Sequence, residues 1–268
     1  MDAQQRYTHG HHESVLRSHE WRTLENSGAY FASLLRPGAA VLDVGSGPGT
    51  ITFDIAAGVA PGPVVGIDAS PDIVAHATRS AAERGVENVT FSVGDAYALE
   101  FPDATFDVVH AHQVLQHMGD PVAVLRELRR VTKPGGHVVA RDVDWGGTMW
   151  APPLPGLDAW MRVNQAVQRA NHGEPYAGRL LREWAIEAGF EEVSSSASIW
   201  CFASDEDRRW WGESWSVRVV DSDFARHALD QGIASRAELD EIAAAWREWV
   251  TTPSGWYGMP HGEIVARA

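Results

Sequence analysis

Between residues 40 and 144 the chain alternates short β-branched apolar runs with amphipathic segments, and no other feature narrows its fold as far. "AAVLDVG" (39–45), "PVVGIDAS" (63–70), "NVTFSVGDA" (88–96), "FDVVHAHQ" (106–113) and "PGGHVVARDVD" (134–144) read as strands. "TITFDIAAGVA" (50–60), "PDIVAHATRSAAERG" (71–85) and "DPVAVLRELRRVT" (120–132) read as the helices between them. Pro71 suits a first helical position and Gly85 a stop. The strands are near-continuously apolar, as parallel strands covered on both faces must be. From residue 145 the rhythm changes. "WGGTMWAPPLPG" (145–156) reads as a loop, helical patterns follow at 157–171 and 179–188, and "FEEVSSSASIWCFA" (190–203) reads as a long strand. A second irregular and helical stretch (204–256) precedes a last strand-like run at 261–268. These segments predict an α/β fold with a seven-stranded, mostly parallel sheet.

Charge limits the partners. The net charge is −14, and Lys133 is the single lysine among 22 basic residues. Without a basic stripe the chain fits neither nucleic acid nor an anionic membrane surface. No apolar run approaches the ~20 residues that span a bilayer, and the polar start "MDAQQRYTHG" has no signal-peptide pattern. The lone Cys201 fits a reducing compartment, so the expected location is cytoplasmic. A small-molecule partner remains, and a homodimer is left open.

The sharpest motif is "VLDVGSGPGT" (41–50). A strand ends at Asp43, and Gly45, Gly47 and Gly49 turn the chain into a helix. Glycine lets backbone approach a ligand, and amides at a helix start suit an anionic group. The G-x-G-x-G spacing differs from the G-x-G-x-x-G of dinucleotide enzymes. Asp68 closes the second strand, where a carboxylate can take both hydroxyls of a ribose, and Asp95 follows the third. Three acids at three successive strand ends suit a ligand that carries positive charge.

With "LDVGSGPG", "GIDAS", "GDA", "FDVVHAHQVLQH" and "LRELRRVTKPGGHVVARD", the chain resembles class I S-adenosylmethionine-dependent methyltransferases. It is most similar to the small-molecule branch related to ubiquinone and menaquinone C-methyltransferases. The resemblance implies a Rossmann-like sheet with helices on both faces, S-adenosylmethionine as cofactor and S-adenosylhomocysteine as product, in specialised or quinone-like metabolism. It implies that Asp43, Gly45, Ser46 and Gly47 cradle the methionine part, that Asp68 and Ala69 meet the ribose, and that Asp95 and Ala96 flank the adenine. Gln113 would line the sulfonium pocket. The resemblance also makes residues 1–36 a helical lid, from which Tyr7 and Arg22 would reach the cofactor. Residues 37–268 then form the cofactor-binding domain, with cap insertions at about 145–178 and 204–256.

Methyl transfer is an in-line displacement that rests on alignment and exclusion of water. A general base is needed only where the acceptor must lose a proton. Base candidates at the carboxyl edge are His112, His117, Asp142 and Asp144. His117 occupies the place where similar phosphoethanolamine methyltransferases carry a catalytic histidine. His9, His11, His12 and His19 crowd the N-terminus, where "ESVLRSHEWRTLENSGAYFASLL" (13–35) has helical periodicity. We assign His11 or His12 to proton transfer beside His117, and no metal site, because converging ligands with metal spacing are lacking. Eleven of twelve tryptophans lie from Trp145 onward. Most are expected in the cap core and some along an apolar pocket for an apolar or aromatic acceptor. Two other readings stay open: non-methylating chemistry on the same cofactor, such as a cyclisation, and a non-catalytic nucleotide-binding domain.

Overall fold

The computed structural model describes residues 21–268. Strands β1 (Val41–Val44), β2 (Val64–Asp68), β3 (Val89–Val93), β4 (Phe106–His112) and β5 (Thr132–Val143) run parallel in the order β3-β2-β1-β4-β5. The direction of winding reverses at β1, so the crevice for a ligand opens beyond the carboxyl ends of β1 and β4. Three further strands follow, β6 (Met149–Ala151), β7 (Glu192–Phe202) and β8 (Trp256–Arg267). β8 lies antiparallel between β5 and β7, and β6 pairs with its first residues.

The sheet among the described residues therefore has eight strands, one more than the seven expected. The addition is β6, inside the stretch read as a loop. Three residues flanked by Gly and Pro carry no readable alternation, and they are extended because Tyr257 and Gly258 lie alongside to pair with them.

The helices are α1 (Leu24–Ser27), α2 (Thr50–Val59), α3 (Pro71–Arg84), α4 (Pro121–Val131), α5 (Pro155–Ala170), α6 (Ala177–Glu187), α7 (Asp205–Arg218), α8 (Asp223–Asp230) and α9 (Arg236–Thr251). Local chemistry sets several of their ends. Ser70 accepts from the Ile73 amide ahead of Pro71, and Gly85 closes α3 with a φ of 66°. Asp120 does the same for α4 through the Ala123 amide, ahead of Pro121. The periodicity at 13–35 does not give one helix over its described part. Thr23 is extended and exchanges reciprocal hydrogen bonds with Asn26, which starts a new four-residue helix that stops at Gly28.

Three apolar cores result. One packs α4 and α6 on the face of the sheet carrying Leu42, Val109, Val138 and Ile264. The second packs α2 and Phe31 on the opposite face. The third is the cap, where α5, α7, α8 and α9 close over Val143, Phe202 and Tyr257. Near the carboxyl edge the second face turns polar. Register sets Asp43 beside His110, His112 beside Arg141, and Arg141 beside Glu263.

Candidate active site

The glycine turn follows from β1, whose four residues are all buried and end the strand against the crevice. Gly45 has a φ of 69°, and a Cβ there would stand 2.4 Å from Val114 Cγ2, so neither the backbone nor the space admits another residue. Gly49 (φ 88°) caps α2 without a side-chain hydrogen bond, at the point where the helix starts beside the cleft. The buried Ser46 hydroxyl beside them has no hydrogen-bond partner.

The three acids differ in how they are held. Asp43 is buried deepest, with Oδ1 2.7 Å from His110 Nδ1 and Oδ2 accepting from the Thr52 hydroxyl at 2.5 Å. Asp68 accepts from the Gly47 amide at 3.1 Å and the Ser70 amide at 2.9 Å, which ties the tip of β2 to the glycine turn. Asp95 accepts from the Tyr97 amide.

Gln113 has a φ of 53° and lies at the centre of a relay. Arg22 Nη2 donates to Gln113 Oε1 at 2.9 Å, and Gln113 Nε2 lies 2.8 Å from His261 Nε2. His261 Nδ1 in turn lies 3.0 Å from the Met259 carbonyl, so Nδ1 carries the proton and Nε2 accepts from the glutamine. His117 is half-buried on the cleft wall, 3.1 Å from Gln116 Nε2. Burial, and then the Arg22 charge, push its imidazole down to about 4, so the ring is neutral at pH 7.

One cleft of about 1440 Å³ gathers these groups. Arg22, Asp43, Gly45, Ser46, Gly47, Asp68, Ala69, Asp95, Ala96, Gln113 and His117 all line it. Tyr7, His11 and His12 lie outside the described residues, as do His9 and His19. Asp142 and Asp144 are not among its lining. Asp142 sits beneath the wall and accepts from the Gln116 amide at 3.1 Å, while Asp144 holds Arg179 through two hydrogen bonds.

The cleft also takes in residues that sequence reasoning passed over. Asn171 and His172 at the end of α5, and Asp223, Arg226, His227 and Gln231 around α8, form its cap side. No motif joins two segments 50 residues apart, so only packing reveals them. His110 was also passed over but had a signal: it alternates with the base candidate His112 along β4, which marks that face of the strand as polar. The tryptophans go elsewhere. No tryptophan lines the cleft among the described residues, while Trp160, Trp215, Trp246 and Trp249 are at most 1% exposed in the cap core.

The crevice tests well against S-adenosylmethionine on its own geometry. The glycine turn admits close approach, α2 starts at the crevice, the orphaned Ser46 hydroxyl needs a partner, and acids stand at three strand ends. An open α/β sheet with a nucleotide-type crevice at its switch point defines the class. A methyltransferase-domain family matches residues 35–205, more than half the chain. An uncharacterized methyltransferase of Schizosaccharomyces pombe is 38% identical over 270 residues, covering 97% of this chain and 95% of the relative. The structure of the [4+2]-cyclase SpnF is similar with a TM-score of 0.54 and 25% identity, over 94% of this chain and 80% of that one. A Haemonchus contortus phosphoethanolamine N-methyltransferase, solved with phosphomonomethylethanolamine and S-adenosylhomocysteine, shares the fold with a TM-score of 0.60 at 17% identity. That match covers 96% of this chain and 57% of the other. The chain belongs to the methyltransferase-domain family and is a class I S-adenosylmethionine-dependent methyltransferase.

Proposed function

We propose that the protein transfers the methyl group by in-line displacement to a small metabolite with an apolar or aromatic body. The observation that carries this reading is the continuity of the cleft. It runs from Asp68 and Asp95 past Gln113 to Asn171 and Arg226, and its volume exceeds the ~300–1,000 Å³ of a pocket for one ligand. Bound S-adenosylmethionine supplies a methyl group on a positively charged sulfur.

The chain's own residues then have these tasks. Gly45, Ser46 and Gly47 bind the methionine end, and Asp43 keeps the turn in place through Thr52. Asp68 takes the ribose hydroxyls with Ala69 beside it, and Asp95 and Ala96 hold the adenine. Arg22 orients Gln113 at the reacting centre, and we assign residues 1–36 as a lid. Val114 and Met118 offer the acceptor apolar surface. His117, neutral at pH 7, is the described side chain assigned to take a proton from the acceptor. His11, His12 and Tyr7 are assigned to the same closure.

Calorimetry of S-adenosylhomocysteine with wild type and Asp68→Ala tests the cofactor assignment. The expected loss is at least about 10-fold, equivalent to about 1.4 kcal/mol. Wild-type protein that binds no S-adenosylhomocysteine would overturn it. The likeness to a cyclase supports a second reading, in which the same cofactor site serves a reaction without methyl transfer. Product mass separates the two: a gain of one methyl supports transfer, and an isomeric product supports the cyclase-like reading.

A further inference from the structure

His112 ends β4, directly before Gln113, and lines the cleft at 6% exposure. Neither of its ring nitrogens has a hydrogen-bond partner. A buried donor or acceptor left in that state is destabilising, so the position calls for a reason.

The polar groups around it do not meet its nitrogens: most bond elsewhere, and His110 Nε2 and Arg141 Nη1 are themselves without a partner. Gln113 is held between Arg22 and His261, and His261 lies against the Met259 carbonyl. The His110 nitrogen nearest a carboxylate belongs to Asp43. Arg141 faces Glu263 and Ser198. The His112 ring is packed in place between His110 and His261, at centroid distances of 6.4 and 6.3 Å, with Trp200 at 5.8 Å. It is thus a fixed, unsatisfied group at the floor of a cleft.

Its charge state narrows what can satisfy it. Burial, then Arg22, Arg141, His261 and His110, hold the imidazole well below its ordinary value, so it is neutral at pH 7. A neutral imidazole has one N–H and one lone pair. A bare carboxylate cannot donate to that lone pair, and a cationic group would meet Arg22 and Arg141. An uncharged hydroxyl fits.

We propose that His112 binds the methyl acceptor through a hydrogen bond to an uncharged hydroxyl group, which makes that acceptor a hydroxylated molecule rather than a pure hydrocarbon. The proposal rests on the cofactor reading above, since it places the hydroxyl next to Gln113. A site built to hydrogen-bond a hydroxyl rejects the analogue that lacks it, because the protein group is then left unpaired.

The test uses the full-length protein saturated with S-adenosylhomocysteine and two probes of matched shape, 2-naphthol and naphthalene. Wild type is expected to bind 2-naphthol at least about 10-fold more tightly, the preference that a buried hydrogen bond confers. His112→Phe keeps a ring among Trp200 and His261, so it should bind naphthalene as wild type does and lose the preference. His112→Gln restores a donor and an acceptor and should recover part of it. Nitrogen-15 NMR of the histidine rings gives a readout in wild type alone: 2-naphthol should shift the His112 nitrogens and naphthalene should not. Equal binding of the two probes, no binding of 2-naphthol, or a preference that survives in His112→Phe would each overturn the proposal. Failure of S-adenosylhomocysteine to bind in the first step would instead overturn the cofactor reading.

Discussion

Asp142 lies within the run of buried residues that closes β5, and only one of its two carboxyl oxygens meets a donor, the Gln116 amide. Burial pushes its pKa up to about 8 against a weaker opposing pull from that amide. An ordinary carboxyl titrates near ~3.9. Between about pH 4 and pH 8 the unfolded chain has therefore released a proton that the native state retains, and stability from this group falls as pH rises through that window. Asp142→Asn cannot ionise. Its stability relative to wild type, measured by urea denaturation, should improve by ~3.5 kcal/mol between pH 5 and pH 8. A difference that stays constant with pH would mean that Asp142 is ionised in the native protein. Sequence placed Asp142 at the carboxyl edge correctly and gave it a catalytic candidacy that its position does not support. Strand alternation shows that a residue lies on one face or the other, but not whether that face opens to a cleft or to a neighbouring loop.

Among the elements, the cap shows what aromatic spacing can and cannot convey. Trp211 and Trp215 are one helical turn apart on α7, as are Trp246 and Trp249 on α9, and both pairs meet edge-on. Trp160 of α5 stands between the two helices, edge-on to Trp215 at 4.7 Å and to Trp246 at 4.9 Å. Periodicity identified the stripes, and packing turned all of these rings inward. Trp160→Ala should destabilise the protein by about 3–5 kcal/mol, the usual range for deleting a large buried aromatic. Because Trp160 does not line the cleft, the affinity for S-adenosylhomocysteine of the protein that remains folded should be unchanged. Calorimetry alongside chemical denaturation checks both halves. A parallel loss of affinity would tie the cap core to cofactor binding. The parallel strands and the caps of α3 and α4 were legible for a simpler reason: their signals, an apolar run or Ser-Pro and Asp-Pro at a helix start, act within a few residues.

At the scale of the whole molecule, cofactor binding joins parts that are distant in the chain. Arg22 meets Gln113 across 91 positions, and Gln113 meets His261 across 148. A ligand that binds only the native state stabilises it by about 2.7 kcal/mol at 100 times its dissociation constant. S-adenosylhomocysteine should raise the thermal midpoint accordingly, and NAD at the same concentration should leave it in place. A shift with NAD would contradict the glycine spacing as a discriminator.

The sequence by itself determined the parallel sheet between residues 40 and 144, the glycine turn at Gly45–Gly49 and the acids at three strand ends. Those features depend on backbone conformation and on the two-residue and 3.6-residue periods of single elements, which neighbouring residues fix. Tertiary structure decided which side chains share the cleft. It brought Asn171 and Arg226 to the far wall, withdrew Trp160, Trp215, Trp246 and Trp249 into the cap, added β6 to the sheet and left both ring nitrogens of His112 without a partner. These outcomes depend on the register of β8 between β5 and β7 and on how three cores pack together. No local stretch of sequence carries that information, because these contacts are selected by the burial and hydrogen bonding of partners far away along the chain.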